Sequence, residues 1–572
     1  MTRPSPAIVA QAAVRPLPRW ALWLLCLAYA VPGFVGRDPW RGDDMQAFAF
    51  MREIAIGQTH WLTPMLAGQP PDTNGLLPLW LGAGSIRLSN GWLPVELATR
   101  LPFMLLLVLI LISTWRAVYH LALSPQAQPV AFAFGGEAQP RDYARAIADG
   151  ALLALIATLG LAQFSHETTS HLTQLAGTAL LLYAGAALPV RMTSRPVLAA
   201  GTGLLCLALS GAPGMAMLLG LGSAALAAGH ARAASSPAPA RRAAVMLMIL
   251  TLTTALLVEW LGLRHWRITL PGDAREWGSL LRLLVWFIWP TWLLALWTLW
   301  RWRHQLAGGA SHIALPLWFA LVALAATFGT QPADRALFQG LPAFAALAAF
   351  ALPTLTRSFA AVIDWFTLLF FSLSAIVIWV IWLAVQTGVP AQPAANVARL
   401  APGFESHFAP LPFAVAMLAT LAWCALVRWR TARQRPAIWK SLVLPAGGAA
   451  LGWVLLMTLW LPLLDYGRSY APQVALLRQA LQEPHDGQPL RGGDCVVGFG
   501  LDQPLMAALT YQGGLDMRLP NEGTHCRWAI ADPDADANAL EALSSDAWEQ
   551  MAMVTRPTDR RDQLTVLRRR TR

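Results

Sequence analysis

The chain has 572 residues, of which 56% are hydrophobic and only 13% charged, and its mean hydropathy is +0.47. Soluble domains carry about a quarter charged residues, which excludes a water-soluble globule; apolar runs of about 20 residues, enough to cross roughly 30 Å of hydrocarbon, exclude a membrane β-barrel with its short alternating strands. The formal net charge of +11 comes from arginines in short caps at the ends of apolar runs, with Lys440 the one lysine, so it argues against nucleic-acid binding and reports orientation in a membrane.

Taken in order, the sequence predicts an all-α polytopic membrane protein with about 13 transmembrane helices, followed by a small C-terminal α/β domain outside the bilayer. The spans are 20–36, 101–121, 146–164, 171–190, 197–211, 213–229, 243–262, 279–300, 312–329, 336–355, 360–386, 410–428 and 441–463. No small-residue cleavage site follows the first run, which is therefore a retained helix and not a removed signal peptide. At 197–229, "LSGAPGM" permits either a turn or a kink within one span. Arg15 and Arg19 precede the first span. Arg141 with Arg145, Arg191 with Arg195, Arg232 with Arg241 and Arg242, Arg301 with Arg303, and "RWRTARQRPAIWK" at 428–440 then fall on the same side. By the positive-inside rule that side is cytoplasmic, with the N-terminus. Tryptophans cluster near run ends, as in "RWALW" and "LWTLWRWRH", consistent with interfacial belts.

The opposite, periplasmic face then receives the long loop 37–100, "SHETTSH" at 165–171, the loop 264–277, "QPADR" at 331–335 and the tail 465–572. In the tail, "CVVGFG", "CRWAIADP" and "QLTVLRRR" read as strands, and "DQPLMAALTYQGG" and "ANALEALSSDAWEQMA" as helices. Cys495 and Cys526 are its two cysteines; an oxidising compartment would let them pair, and a buried site would keep them as thiols. Glycine-rich "GAGSIRLSNG" and "LGLGSAALAAG" lack the lysine and strand-to-helix setting of a nucleotide site, which argues against an ATP-driven machine.

Ionisable residues at a membrane face cost free energy unless paired or hydrated, so they are the candidates for function. Asp43 and Asp44 lie in "RDPWRGDDMQAFAFMREIAIGQ"; His166 and Glu167 in the second loop; Arg264, His265 and Arg267 in another; Asp334 and Arg335 in a fourth. Arginines grip phosphate oxygens bidentately, and a carboxylate takes a proton from a hydroxyl or orients it. Each has a structural alternative. Asp43 with Gln46 has the form of a capping box, and Asp44 suits a helix N-terminus. His166 and Glu167 would equally cap a span, His265 would sit at the interface, and Arg335 would anchor a helix end.

The first loop also carries a motif order. An acidic pair and a short amphipathic helix are followed by "HWLTPMLAGQPPDTNGLLPLWLGAGSIRL" and "ELATRLPF". This resembles the polyprenyl-phosphate-dependent glycosyltransferases of the GT-C superfamily, in the group of protein O-mannosyltransferases and lipid A aminoarabinose transferases. Asp43, Asp44, Trp61, Pro64, Gly68, Pro70, Leu77, Trp80, Arg100, Leu101 and Pro102 fall on the pattern, and "DRALFQGLPAFAALAAFAL" and "LPLLDYGRSY" are also similar to family segments. The family's "E-K-P-P" is replaced by Thr73, Asn74, Gly75 and Leu76, leaving Asp72 nearby, and the arginine of its "A-R-Y" is Gln46.

The resemblance implies an inverting inner-membrane glycosyltransferase. It would move a sugar from an undecaprenyl-phosphate-linked donor to a periplasmic acceptor: lipid A, a glycan or a protein hydroxyl. Asp43, Asp44 and Glu167 would be catalytic; Arg335, Arg264 and Arg267 would hold the donor phosphate; His166, His265, Asp72 and Tyr466 would line the site, with Asp465 at its edge. No cofactor is implied beyond a divalent metal ion, for which the carboxylates leave room. The rival readings are a transporter or flippase of polyprenyl-linked lipids, and a non-catalytic subunit that retains the scaffold.

Overall fold

A computed structural model describes the chain except residues 1–4, 67, 72–74, 234–236, 264–271, 331–332, 433–436, 483–493, 524, 534–546 and 571–572. The bundle opens with α1 (Arg19–Ala30), α2 (Asp43–Ile56), α3 (Leu76–Ser89), α4 (Val95–Ala122), α5 (Pro140–Ala157), α6 (Leu159–Phe164) and α7 (Ser170–Ala187). Helices occur at all thirteen predicted spans. By length and composition, seven among the described residues suffice to cross a membrane, and an eighth is made by Ala274–Phe287 and Thr291–Arg301, which meet at 86°. Arg19–Ala30, Ser194–Leu209 and Leu341–Thr354 are shorter apolar helices. The count falls below thirteen because those three helices are short, and because α5 and α7, buried along nearly their whole length, carry polar residues such as Asp149, Thr173 and Gln174. The 197–229 region is a turn, not a kink. Gly220 of the following helix lies against Leu204 of the preceding one.

Local chemistry explains how the first loop is held. Glycine with positive φ flanks α2 on both sides, Gly42 at +77° and Gly57 at +81°, and Gly57 closes the helix in the left-handed conformation favoured at C-termini. Pro102 lies inside α4 and has no N–H for the carbonyl of Ala98; the Ser85 hydroxyl donates to that carbonyl at 2.6 Å, tying α3 to α4. Where α1 runs into the loop, Gly33 has φ +92°, and a Cβ there would come within 2.6 Å of Trp453. Only glycine fits.

The tail forms a five-stranded sheet of β1 (Cys495–Phe499), β2 (Asp516–Arg518), β3 (Trp528–Ala531), β4 (Trp548–Arg556) and β5 (Asp559–Arg569), in the order β2-β1-β3-β5-β4. β1 pairs in parallel with β2 and β3, and β5 is antiparallel to β3 and β4. The helix Gln503–Tyr511 crosses between β1 and β2, with Asp502 accepting from the Leu505 N–H at its N-terminus. Cys495 and Cys526 form a disulfide. The helix expected at 537–552 is corrected over its described part: Trp548–Arg556 is a strand. Its Glu, Gln, Met and Ala residues favour helix, but pairing with β5 through a two-residue turn overrides that preference. One apolar cluster runs from the bundle into this sheet, joining Met45, Phe48 and Met51 of α2 with Leu505, Leu509 and Val566.

Candidate active site

α2 begins directly after Gly42, so Asp43 and Asp44 occupy its first turn and point in different directions. The capping-box reading fails. The N-terminal cap makes no side-chain hydrogen bond, and Gln46 donates across to Gln503 Oε1 of the sheet domain. Asp44 is 3% exposed. Its Oδ2 accepts from Arg37 at 2.9 Å and from the Trp40 N–H at 3.1 Å; its Oδ1 accepts from the Thr168 N–H and hydroxyl at 2.8 and 2.9 Å. Burial alone would raise its pKa, but the guanidiniums of Arg37 and Arg100 and these N–H donors outweigh it, holding the carboxyl below its usual range. Arg37 also donates to the His166 carbonyl at 3.0 Å, and Arg100 donates to the Arg37 carbonyl. The first and second loops are thus locked together by buried charge.

Asp43 is different. Its side chain is 48% exposed, with Oδ2 at 3.1 Å from Arg335 Nη2 and 3.9 Å from His171 Nε2. The other Arg335 nitrogen, Nη1, donates to Glu167 Oε2 at 3.1 Å, and its guanidinium stacks over Phe164 at 4.1 Å. Burial raises the pKa of Glu167 more than Arg335 and the Gln163 amide lower it. The result is a shared cation between a solvent-facing carboxylate and a buried one.

Four predicted residues from three loops therefore meet: Asp43, Asp44, Glu167 and Arg335. His166 does not join them. It is wholly buried among Tyr29, Phe34 and Trp453, its ring nitrogens face the Ala162 and Tyr29 carbonyls, and burial pushes its pKa down to about 3. It packs the second loop from behind. Tyr466 turns away to donate to the Pro402 carbonyl. Asp72, Arg264, His265 and Arg267 lie outside the described residues. Asp465 sits at the edge, accepting from Trp40 Nε1 at 2.7 Å, and burial with Asp38 nearby lifts its pKa to about 6.

Arg37, Thr168 and His171 escaped sequence reasoning as contributors. Arg37 opens the stretch that follows the first apolar run, and an arginine with neighbouring acids there was the available signal. The sheet domain leans on the same loop: Arg41, two residues before Asp43, pairs with Asp562 at 2.9 Å, and Gln503 donates to the Pro70 carbonyl at 2.9 Å.

The chain combines a polytopic helical bundle, a long first loop bearing an acidic pair and a small terminal sheet domain. The chain matches the structure of ArnT from Cupriavidus metallidurans bound to undecaprenyl phosphate with a TM-score of 0.58 at 14% identity, over 96% of this chain and 98% of that one. Against the apo state of that ArnT the TM-score is 0.54 at 15% identity, with the same coverage of 96% and 98%. An oligosaccharyltransferase from Archaeoglobus fulgidus, tethered with an acceptor peptide, matches at 0.40 and 10% identity over 90% of this chain and 69% of that one. No family model and no curated protein matches at the level of sequence. At 14–15% identity the likeness to ArnT is one of fold.

Proposed function

We propose that the protein is an inner-membrane glycosyltransferase that moves a sugar from a polyprenyl-phosphate-linked donor to an acceptor hydroxyl or phosphate in the periplasm. The observation that carries this is the Asp43–Arg335–Glu167 cluster, with Arg335 3.1 Å from each carboxylate. The end-to-end match to a structure that holds undecaprenyl phosphate supports a lipid donor. A donor already carrying its phosphate and sugar also accounts for the absence of a nucleotide-gripping loop in the sequence.

The chemistry follows from the geometry. Arg335 binds the donor phosphate and is kept in place by Glu167. Asp43, half in solvent, takes the acceptor proton; the acceptor oxygen then bonds to the anomeric carbon as its bond to the phosphate oxygen breaks. The electron pair stays on that phosphate oxygen, where the Arg335 guanidinium stabilises it. Displacement from one face inverts the sugar carbon. Asp44 takes no part in proton transfer, because both its oxygens are committed; it fixes α2 so that Asp43 faces the site. Asp43 and Glu167 are each paired with Arg335, and no step here depends on a divalent ion.

The test is Asp43→Asn in full-length protein reconstituted in proteoliposomes with undecaprenyl-phosphate-linked sugars. Loss of transfer with unchanged thermal stability and unchanged undecaprenyl phosphate binding supports the enzyme. Transfer at the wild-type rate favours a carrier or a non-catalytic scaffold.

A further inference from the structure

Beside the Asp43–Arg335 pair runs a chain of neutral polar side chains that the mechanism above leaves unused. Gln174 and Gln339 are each 5% exposed. Gln174 Nε2 donates to the Ser210 carbonyl at 2.6 Å, and Gln339 Nε2 donates to Gln174 Oε1 at 2.7 Å. The order is forced. A carbonyl only accepts, so Gln174 must turn its NH2 to Ser210; its own oxygen then faces Gln339, which must donate. Gln339 Oε1 is left as a buried acceptor with no partner among the described residues.

It is not isolated. His171 Nδ1, Arg335 Nε and Thr169 Oγ1 are likewise buried and unpartnered among the described residues. His171 and Gln174 lie one helical turn apart on α7, and Arg335 and Gln339 are four residues apart. His171 Nε2 is 3.9 Å from the carboxylate of Asp43. Buried polar atoms normally find partners, and each one left without costs free energy comparable to a lost hydrogen bond. Several such atoms near one reactive pair would be satisfied together by a molecule that both donates and accepts. Sugar hydroxyls do both. The amides of Gln174 and Gln339 carry no charge to pair with a ligand ammonium, so a neutral ring suits them better.

We infer that His171, Gln174 and Gln339 form a sugar-hydroxyl subsite for a neutral pentose or hexose, in which Gln339 Oε1 accepts from a ring O–H and Arg335 Nε donates to a neighbouring oxygen. Gln174 is a positioning residue: it acts by fixing which way the Gln339 amide points. The inference rests on the transferase reading and deepens it.

The experiment measures binding by thermal shift on the full chain in detergent, with undecaprenyl phosphate, undecaprenyl phosphoglucose and undecaprenyl phosphomannose as probes. The wild type is expected to bind at least one sugar-bearing lipid about tenfold tighter than undecaprenyl phosphate. Gln339→Met and Gln174→Met should bring that lipid to within about twofold of the sugar-free one, with undecaprenyl phosphate binding unchanged. Gln339→Asn, which withdraws the amide by one methylene, gives the same readout if the methionine variant does not fold. Equal binding of all three lipids by the wild type, or a preference that survives in the variants, overturns the subsite alone. A wild type that binds none of them overturns the transferase reading and the subsite with it.

Discussion

Two arginine–carboxylate sites on this scaffold have opposite characters. At one end of the helix Arg357–Thr387, Asp364 is gripped by Arg430 through both Nε and Nη2, a closed fork with each side chain less than a fifth exposed. At the end of the bundle where the first loop lies, Arg335 divides itself between Asp43 and Glu167, keeps Nε unpartnered among the described residues, and faces a carboxylate that is 48% exposed. The first arrangement is complete in itself. The second has capacity to spare, and that spare capacity is what distinguishes a place where something binds from a bolt between helices.

The largest effect expected from breaking this contrast is at Asp43. Asp43→Asn should lower the transfer rate by about 10²–10⁴-fold with little change in melting temperature, as removal of a general base does. Next comes its neighbour. Asp44→Ala strands the buried guanidiniums of Arg37 and Arg100, so a loss of about 3–5 kcal/mol in stability is expected, read as a lowered unfolding midpoint. Adjacent aspartates thus fail in different assays: one in catalysis, one in folding.

Asp364→Asn sharpens the comparison from the other side. It should cost about 1–3 kcal/mol of stability and leave transfer at the wild-type rate once folded protein is normalised. Glu167 supplies a pH test. Burial raises its pKa, so the ionised form that keeps Arg335 in place is lost on acidification at a pH above the ordinary carboxylate range. The acid limb of the rate profile should fall in that region, and Glu167→Gln should flatten it.

A second pH test lies at Asp465, whose folded pKa of about 6 exceeds the ordinary 3.8. A raised carboxyl pKa means that the folded state holds the proton more tightly. The associated stability is full below pH 4 and disappears as pH rises through about 6, roughly 2–3 kcal/mol across that window. Asp465→Asn should remove this slope from the melting temperature measured between pH 4 and 7.

Part of the candidate site was legible in advance because charge at a membrane face is rare. Asp43, Asp44, Glu167 and Arg335 stood out as ionisable residues at the ends of apolar runs, from loops more than a hundred residues apart. The same rule overreached at His166, which is chemically suggestive in "SHETTSH" but buried beneath aromatic rings. It also passed over Gln174 and Gln339, because uncharged amides inside apolar segments give no signal in composition or period; only their shared hydrogen bond reveals them. In the tail, the strand Trp548–Arg556 was invisible because its residues favour helix and its partner is β5.

The sequence by itself determined the helical membrane bundle, the separate terminal domain and the first loop as the seat of charge. Those features follow from local quantities: hydropathy over about twenty residues, arginine placement and short motifs. Only the tertiary structure decided that Asp44 is a buried strut while Asp43 is presented to solvent, and that Glu167 and Arg335 arrive beside it. Exposure and pairing are set by which distant segments pack together, and the chemistry of a carboxylate depends on those neighbours more than on its place in the chain.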